Sequence, residues 1–291
     1  MSEPDLPRAD LEAYQAADEL VRAADKDRWL AGLFVEEGER RHLMALHAFS
    51  SEVARVRDQV SEPMPGEIRL QWWADAVSGT ARGDVESHPI ARALLATIKA
   101  RRLPGTALLN LIEARRFDLY DDAMPTLNDL EGYCGETASA LIQLSALSLA
   151  NGEDPGTAEA AGHAGVAYAL TGLMRVLPIH AARGQLYVPL DLIKKHGLTR
   201  ETLFDDASAV GLSAVLADLR ARVRFHLARF SDLAGQVPMA VRPAFLAMAL
   251  VEPYLRQMER SGYRPLGVPV ELAQWRRQIT LWQAARRARR A

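Results

Sequence analysis

The chain has 291 residues, 49% of them apolar and 25% charged, with a formal net charge of −2. That balance suits a globular protein with a sizeable core and excludes the global positive field of a nucleic-acid binder, so no nucleic-acid partner is expected. The single cysteine, Cys134, rules out an intrachain disulfide and fits a reducing compartment.

The first residues, Met1 to Pro7, are acidic and lack an apolar segment, so no signal peptide is expected. Leu43, Leu46, Phe49, Val53 and Val56 recur at spacings of three and four and form one helical stripe. After a break at Pro63 to Gly66, Ile68, Trp72 and Ala76 form a second. Trp73 lies about 100° round that helix, in line with Leu70 and Val77, and is expected to face outward, as a partner contact. Leu108, Leu111, Ile112 and Phe117 suggest a third stripe. Residues Asp129 to Ala150 and Thr157 to Ile179 are apolar on most sides, as central helices of a bundle are. Their uncharged stretches fall short of the roughly 18–20 residues that span a bilayer.

Gln185 to Pro189 is the best candidate for extended structure, because Pro189 disfavours helix at Val188. Leu212 to Leu233 alternates charged and apolar faces like an outer helix. Val241 to Met258 predicts a helix with Pro243 in its first turn and a kink at Pro253. From Val270 onward a basic amphipathic helix carries Trp275, Ile279 and Trp282 beside Arg276, Arg277, Arg286, Arg287, Arg289 and Arg290. Such a helix docks on the bundle or lies on an anionic membrane or partner. Together these features predict an all-α protein, with residues 1–291 forming one domain. Glycine-rich phosphate loops, nucleophile elbows and zinc-type Cys/His spacings are absent.

Two segments carry more specific information. Arg40 to Glu62, which includes His-Ala-Phe-Ser-Ser-Glu-Val-Ala-Arg-Val-Arg-Asp, and Gly172 to Pro189 resemble the signature helices of the squalene/phytoene synthase family. Leu111 to Leu119 and Asp129 to Tyr133 resemble two further family segments in the same order, so the resemblance covers roughly residues 20–260. It implies an isoprenoid synthase-type helical bundle around a central apolar pocket. It also implies head-to-head condensation of prenyl diphosphates, a transferase reaction of isoprenoid biosynthesis, with Mg²⁺ held by aspartates on two facing helices. Magnesium takes oxygen ligands, commonly one or two carboxylates plus phosphate oxygens, and carboxylates at i and i+4 share one helix face.

By the same resemblance, the leading aspartates of the first motif fall on Ala54 and Arg55, and only Asp58 persists. Those of the second motif fall on Val176 and His180. Ala and Val supply no oxygen ligand, Arg55 repels a metal, and one imidazole is not a site. Arg40, Asp118, Tyr133, Arg175, Arg183 and Tyr187 stand where the family pattern puts them.

Three readings follow. The chain is a pseudoenzyme, needs no cofactor, and acts by binding an isoprenoid, a lipid or a protein partner. Alternatively it is an active prenyltransferase with a Mg²⁺ site rebuilt from Glu52, Asp58, Glu62 and Asp118, where Asp58 and Glu62 make an i, i+4 pair. Alternatively Arg40, Arg55, Arg57, Arg175 and Arg183, with Tyr187, form a rim that holds an isoprenoid diphosphate or anionic lipid without metal, or else make surface salt bridges. Val56 to Glu62, Ile68 to Trp73, His88 to Ala91 and Val188 to Leu198 are similar to the family branch that contains a mitochondrial complex I assembly factor. This resemblance implies a role in building respiratory complex I, in the cytoplasm or peripherally on the inner face of the membrane.

Overall fold

Asp25, His88 and Thr126 each stand just before a helix, and the side chain of each accepts a hydrogen bond from the first turn. In the computed structural model, which describes residues 6–205 and 209–289, α1 spans Arg8–Ala24 and α2 Lys26–Gly32. The Asp25 carboxylate between them accepts from the Arg28 backbone N–H at 3.0 Å, capping α2. Helix α3 (Glu37–Ala54) opens with Glu37 and Glu39, placed to complement its dipole. Pro63 opens α4 (Pro63–Ser78), and α5 (Pro89–Arg101) is capped by the His88 imidazole. After α6 (Gly105–Arg115), a reciprocal Thr126–Asp129 capping box starts α7 (Leu127–Cys134).

Helix α7 continues through a π turn, Gly135–Ser139, into α8 (Ala140–Leu149). The other central helix, α9, runs Ala158–Arg175 and is followed by the short α10 (Leu177–Ala182) and α11 (Leu190–Lys195). The long outer helix α12 (Ala209–Ala234) packs along α9. A 3₁₀ stretch, Met239–Leu250, leads into α13 (Val251–Met258), and α14 (Gln274–Ala288) closes the fold. The buried apolar residues form one continuous cluster from Ala13 to Ala285. No strand occurs among the described residues, and no helix there is long and apolar enough to cross a membrane.

Four local expectations are corrected. Trp73 is buried edge-on against Phe49, while Trp72 is the half-exposed member of the pair, because α4 buries the side bearing Leu70 and Trp73. Residues Gln185–Val188 are buried but form no strand; the Met124 N–H donates to the Leu186 carbonyl at 3.1 Å. Pro243 lies inside the 3₁₀ stretch, not in a first turn. Pro253 sits in the first turn of α13, where its missing N–H costs nothing, and the break falls earlier, at Leu250.

Helix α9 crosses the π turn at a distance only glycine permits. A Cβ on Gly165 would overlap the Ser139 backbone, whereas a Cβ on Gly162 would meet nothing within 4 Å. The Ser139 hydroxyl donates to the Gly162 carbonyl at 2.8 Å across this crossing. Gly165→Ala is therefore expected to destabilise the protein by about 1–3 kcal/mol through overpacking. Gly162→Ala should be neutral or stabilising by up to ~1 kcal/mol. Urea unfolding of the two variants measures the difference.

Candidate ligand site where the signature segments meet

The first signature segment leaves its helix early. Helix α3 ends at Ala54, Arg55 and Val56 turn, and Asp58 lies in a 3₁₀ turn, Arg57–Gln59. Glu62 is extended ahead of Pro63, with φ −123° and ψ 151°. Asp58 and Glu62 thus do not share a helix face, which corrects the expected i, i+4 pair. Ala54 and Glu52 are half-buried on the last turn of α3, and Arg55 is exposed. The second segment is broken in the same way. Val176 sits between α9 and α10, and Pro178 in the first turn of α10 separates it from His180.

Asp118 organises what these segments enclose. Its carboxylate is 6% exposed and accepts from the Tyr187 hydroxyl at 2.7 Å, the Tyr133 hydroxyl at 2.8 Å and Arg115 Nη1 at 3.1 Å. Arg115 also donates to the Tyr133 hydroxyl at 2.6 Å, and Gln185 Nε2 donates to the Asp118 carbonyl at 3.3 Å. Burial and the Asp118 carboxylate both push the Tyr187 phenol well up, so it stays a neutral donor. Burial opposes the charge on Arg115, yet Tyr133 and Asp118 hold it above the usual guanidinium range. The His180 ring lies 4.6 Å from the Tyr187 ring, and burial pushes its pKa down to about 4.

The arginines do not form one rim. Arg183 pairs with Asp58 at the edge of this cluster. Arg57 lies 3.5 Å from Asp121. Arg40 is at the opposite end of α3, 3.4 Å from Asp18. Arg175 points the other way. It donates to Asp27 at 3.1 Å, to the Val270 carbonyl at 3.2 Å and to Glu271 at 3.2 Å, and its guanidinium lies 3.7 Å over the Tyr254 ring. Arg115, Gln185 and Asp27 have central places that sequence reasoning missed. Arg115 and Gln185 carried a signal, each two or three residues before an expected site residue in a family-like segment, and Asp27 carried none.

A small central cavity lies between α2, α3, α8 and α9. Arg28, Leu43, His47, Ile142, Tyr168 and Met248 help to line it, and its volume is about 20 Å³, room for one water. Burial and Arg28 push the His47 pKa down to about 3. A wider cleft of about 980 Å³ opens on the other side of Tyr133, between α7 and α11, with Phe117 and Met124 in its wall.

The residues do not fit the magnesium that the fold implies. Ala54, Arg55, Val176 and His180 offer no carboxylate, Asp58 is committed to Arg183, and Asp118 is saturated by two phenols and an arginine. Among the described residues, no group of three or more His, Cys, Asp or Glu side chains is disposed to hold a metal ion.

The backbone matches a dehydrosqualene synthase solved with ligand, with a TM-score of 0.82, 16% identity, and coverage of 97% of this chain and 98% of that one. This is the all-α isoprenoid synthase fold. The squalene/phytoene synthase family model matches residues 21–283, and the chain belongs to that family. Complex I assembly factor 6 of Rattus norvegicus is 30% identical over 245 residues, covering 84% of this chain and 73% of that protein. Phytoene synthase of Thermus thermophilus is 28% identical over 284 residues, covering 95% and 93%.

Two outcomes follow from the cluster. Asp118→Ala leaves Arg115 buried and unpaired and is expected to cost about 3–5 kcal/mol in denaturant unfolding. Tyr187→Phe, which removes one hydrogen bond to a charged group, should cost about 1.5–3 kcal/mol. His180 is neutral in the fold and protonates more readily when unfolded. Its contribution is therefore fully present above pH ~6.5 and is lost as pH falls towards about 4. His180→Phe keeps a ring against Tyr187, and stability curves measured across that range should fall less steeply than for the unmodified protein.

Proposed function

We propose that this chain is a non-catalytic member of its family that acts by binding, in the assembly of respiratory complex I at a membrane surface. The observation that carries the reading is the fate of the motif carboxylates. Those at Ala54, Arg55, Val176 and His180 are replaced, and the surviving Asp58 is paired with Arg183. A prenyl diphosphate brings several negative charges into a low-dielectric site, and without a metal their desolvation is very costly. The likeness to complex I assembly factor 6 supports the direction of the role. An isoprenoid or lipid tail remains a candidate ligand, but the central cavity of about 20 Å³ must widen before it admits one.

The competing reading, a Mg²⁺-dependent prenyltransferase, is favoured by the likeness to phytoene synthase along 95% of the chain. Purified protein given farnesyl or geranylgeranyl diphosphate with Mg²⁺ is expected to release no pyrophosphate above a protein-free control. In cells, loss of the chain should lower the amount of assembled complex I, and a copy carrying Asp58→Ala should restore it. Turnover in the first assay, or failure of the Asp58→Ala copy where the unmodified copy succeeds, overturns the proposal.

A further inference from the structure

Helix α14 has two apolar faces, and the bundle uses only one. Arg277, Leu281 and Ala285 are buried against the core, and Arg242 Nη1 donates to the Ala288 carbonyl at 2.7 Å, fastening the end of the helix. Trp275, Ile279, Trp282 and Arg286 follow at spacings of four, three and four residues, so they form a second stripe along one side. Trp275 is 57% exposed, Ile279 47% and Trp282 49%. Beside the stripe, Leu30, Leu33 and Phe34 at the end of α2 line an apolar groove of about 360 Å³ with Ile279 and Trp282. Leu33 is itself exposed, so the stripe and groove form one apolar strip.

Within α14 the charge has one sign, while the exposed Glu36 and Glu37 lie just beyond Leu33. No acidic residue occurs between Gln274 and Arg289 in a chain whose net charge is −2. The Arg276 guanidinium lies 5.2 Å from the Trp275 ring and that of Arg286 4.6 Å from the Trp282 ring. Arg287 and Arg289 extend the basic end, while Arg290 lies outside the described residues. A guanidinium stacked on an indole keeps its edge donors for oxygen anions, and indoles prefer the boundary between water and hydrocarbon. Because the apolar residues share one side of a straight helix, they reach one depth together when the helix lies flat.

We infer that the exposed face of α14, with Leu33, is a lateral anchor for anionic phospholipid bilayers. Trp275, Ile279 and Trp282 insert at the boundary between headgroups and acyl chains, and Arg276, Arg286 and Arg287 meet lipid phosphates. The inference rests on the geometry of α14 and not on the assembly role; a chain that proved catalytic would keep the same face.

The full chain is expected to co-sediment with vesicles of phosphatidylcholine mixed with phosphatidylglycerol, far less with phosphatidylcholine alone, and less as salt rises. Its tryptophan emission should shift to the blue and be quenched by brominated acyl chains. Ile279→Gln and Trp282→Gln should each weaken binding on the order of tenfold, the equivalent of burying one large apolar side chain. Arg276→Gln and Arg286→Gln should each weaken it about fivefold. All four positions are exposed, so circular dichroism and melting should be unchanged. Equal binding to neutral and anionic vesicles overturns the inference, as does unaltered binding of the stripe variants. So does a chain that ignores vesicles and uses this face to form a dimer, which light scattering would reveal as a monomer once Trp282 is replaced.

Discussion

Asp27 is 3% exposed, and a carboxylate so deeply buried survives only among cations and donors. It has Arg175 Nη1 at 3.1 Å, Arg277 Nε at 2.9 Å and the Tyr254 hydroxyl at 2.8 Å. These four residues come from α2, α9, α13 and α14, so one charge cluster fixes the N-terminal, central and C-terminal parts of the bundle to each other. Glu271 adds a second carboxylate at its edge by pairing with both arginines. A buried ion cluster of this kind adds little net stability over an apolar one, but removal of one member strands the rest, so it specifies a single arrangement. The orientation of α14 depends on it. With Arg277 committed inward, the tryptophans of that helix cannot also face the core.

The same economy of charge runs through the site. Here each persisting acid has an internal partner. Asp118 is saturated by Tyr133, Tyr187 and Arg115, and Asp58 is held by Arg183. Burial leaves His180 neutral against the Tyr187 ring. A site satisfied from within is stable without a ligand, and a metal or diphosphate would have to break these pairs before forming its own contacts.

What the sequence made legible follows from what periodicity can encode. The apolar character of Asp129 to Ala150 and Thr157 to Ile179 marked α7, α8 and α9 as central, and the charged alternation of Leu212 to Leu233 marked α12 as peripheral. The positions of Ala54, Val176 and His180 in the motifs were readable because family spacing is preserved. Periodicity says nothing about which of two apolar faces is covered. The expectation that Trp73 faces outward therefore fails, and the two stripes of α14 could not be separated. The Asp58–Glu62 spacing was misleading because helix geometry was assumed past Ala54, where the chain already turns. Asp27 was invisible because its partners lie far away in sequence, at Arg175, Tyr254 and Arg277.

In this chain Ile142, Met248, Tyr168, Arg28 and His47 help to line a central cavity of about 20 Å³. Meanwhile apolar surface that the core could have used is left on the outside, at Trp275, Ile279, Trp282 and Leu33. Exposed indoles beside arginines are unfavourable in water alone, and the cluster around Asp27 holds them there by fixing Arg277 inward. The exposed face of α14 is thus set by the same buried charge that ties the N-terminal, central and C-terminal helices together.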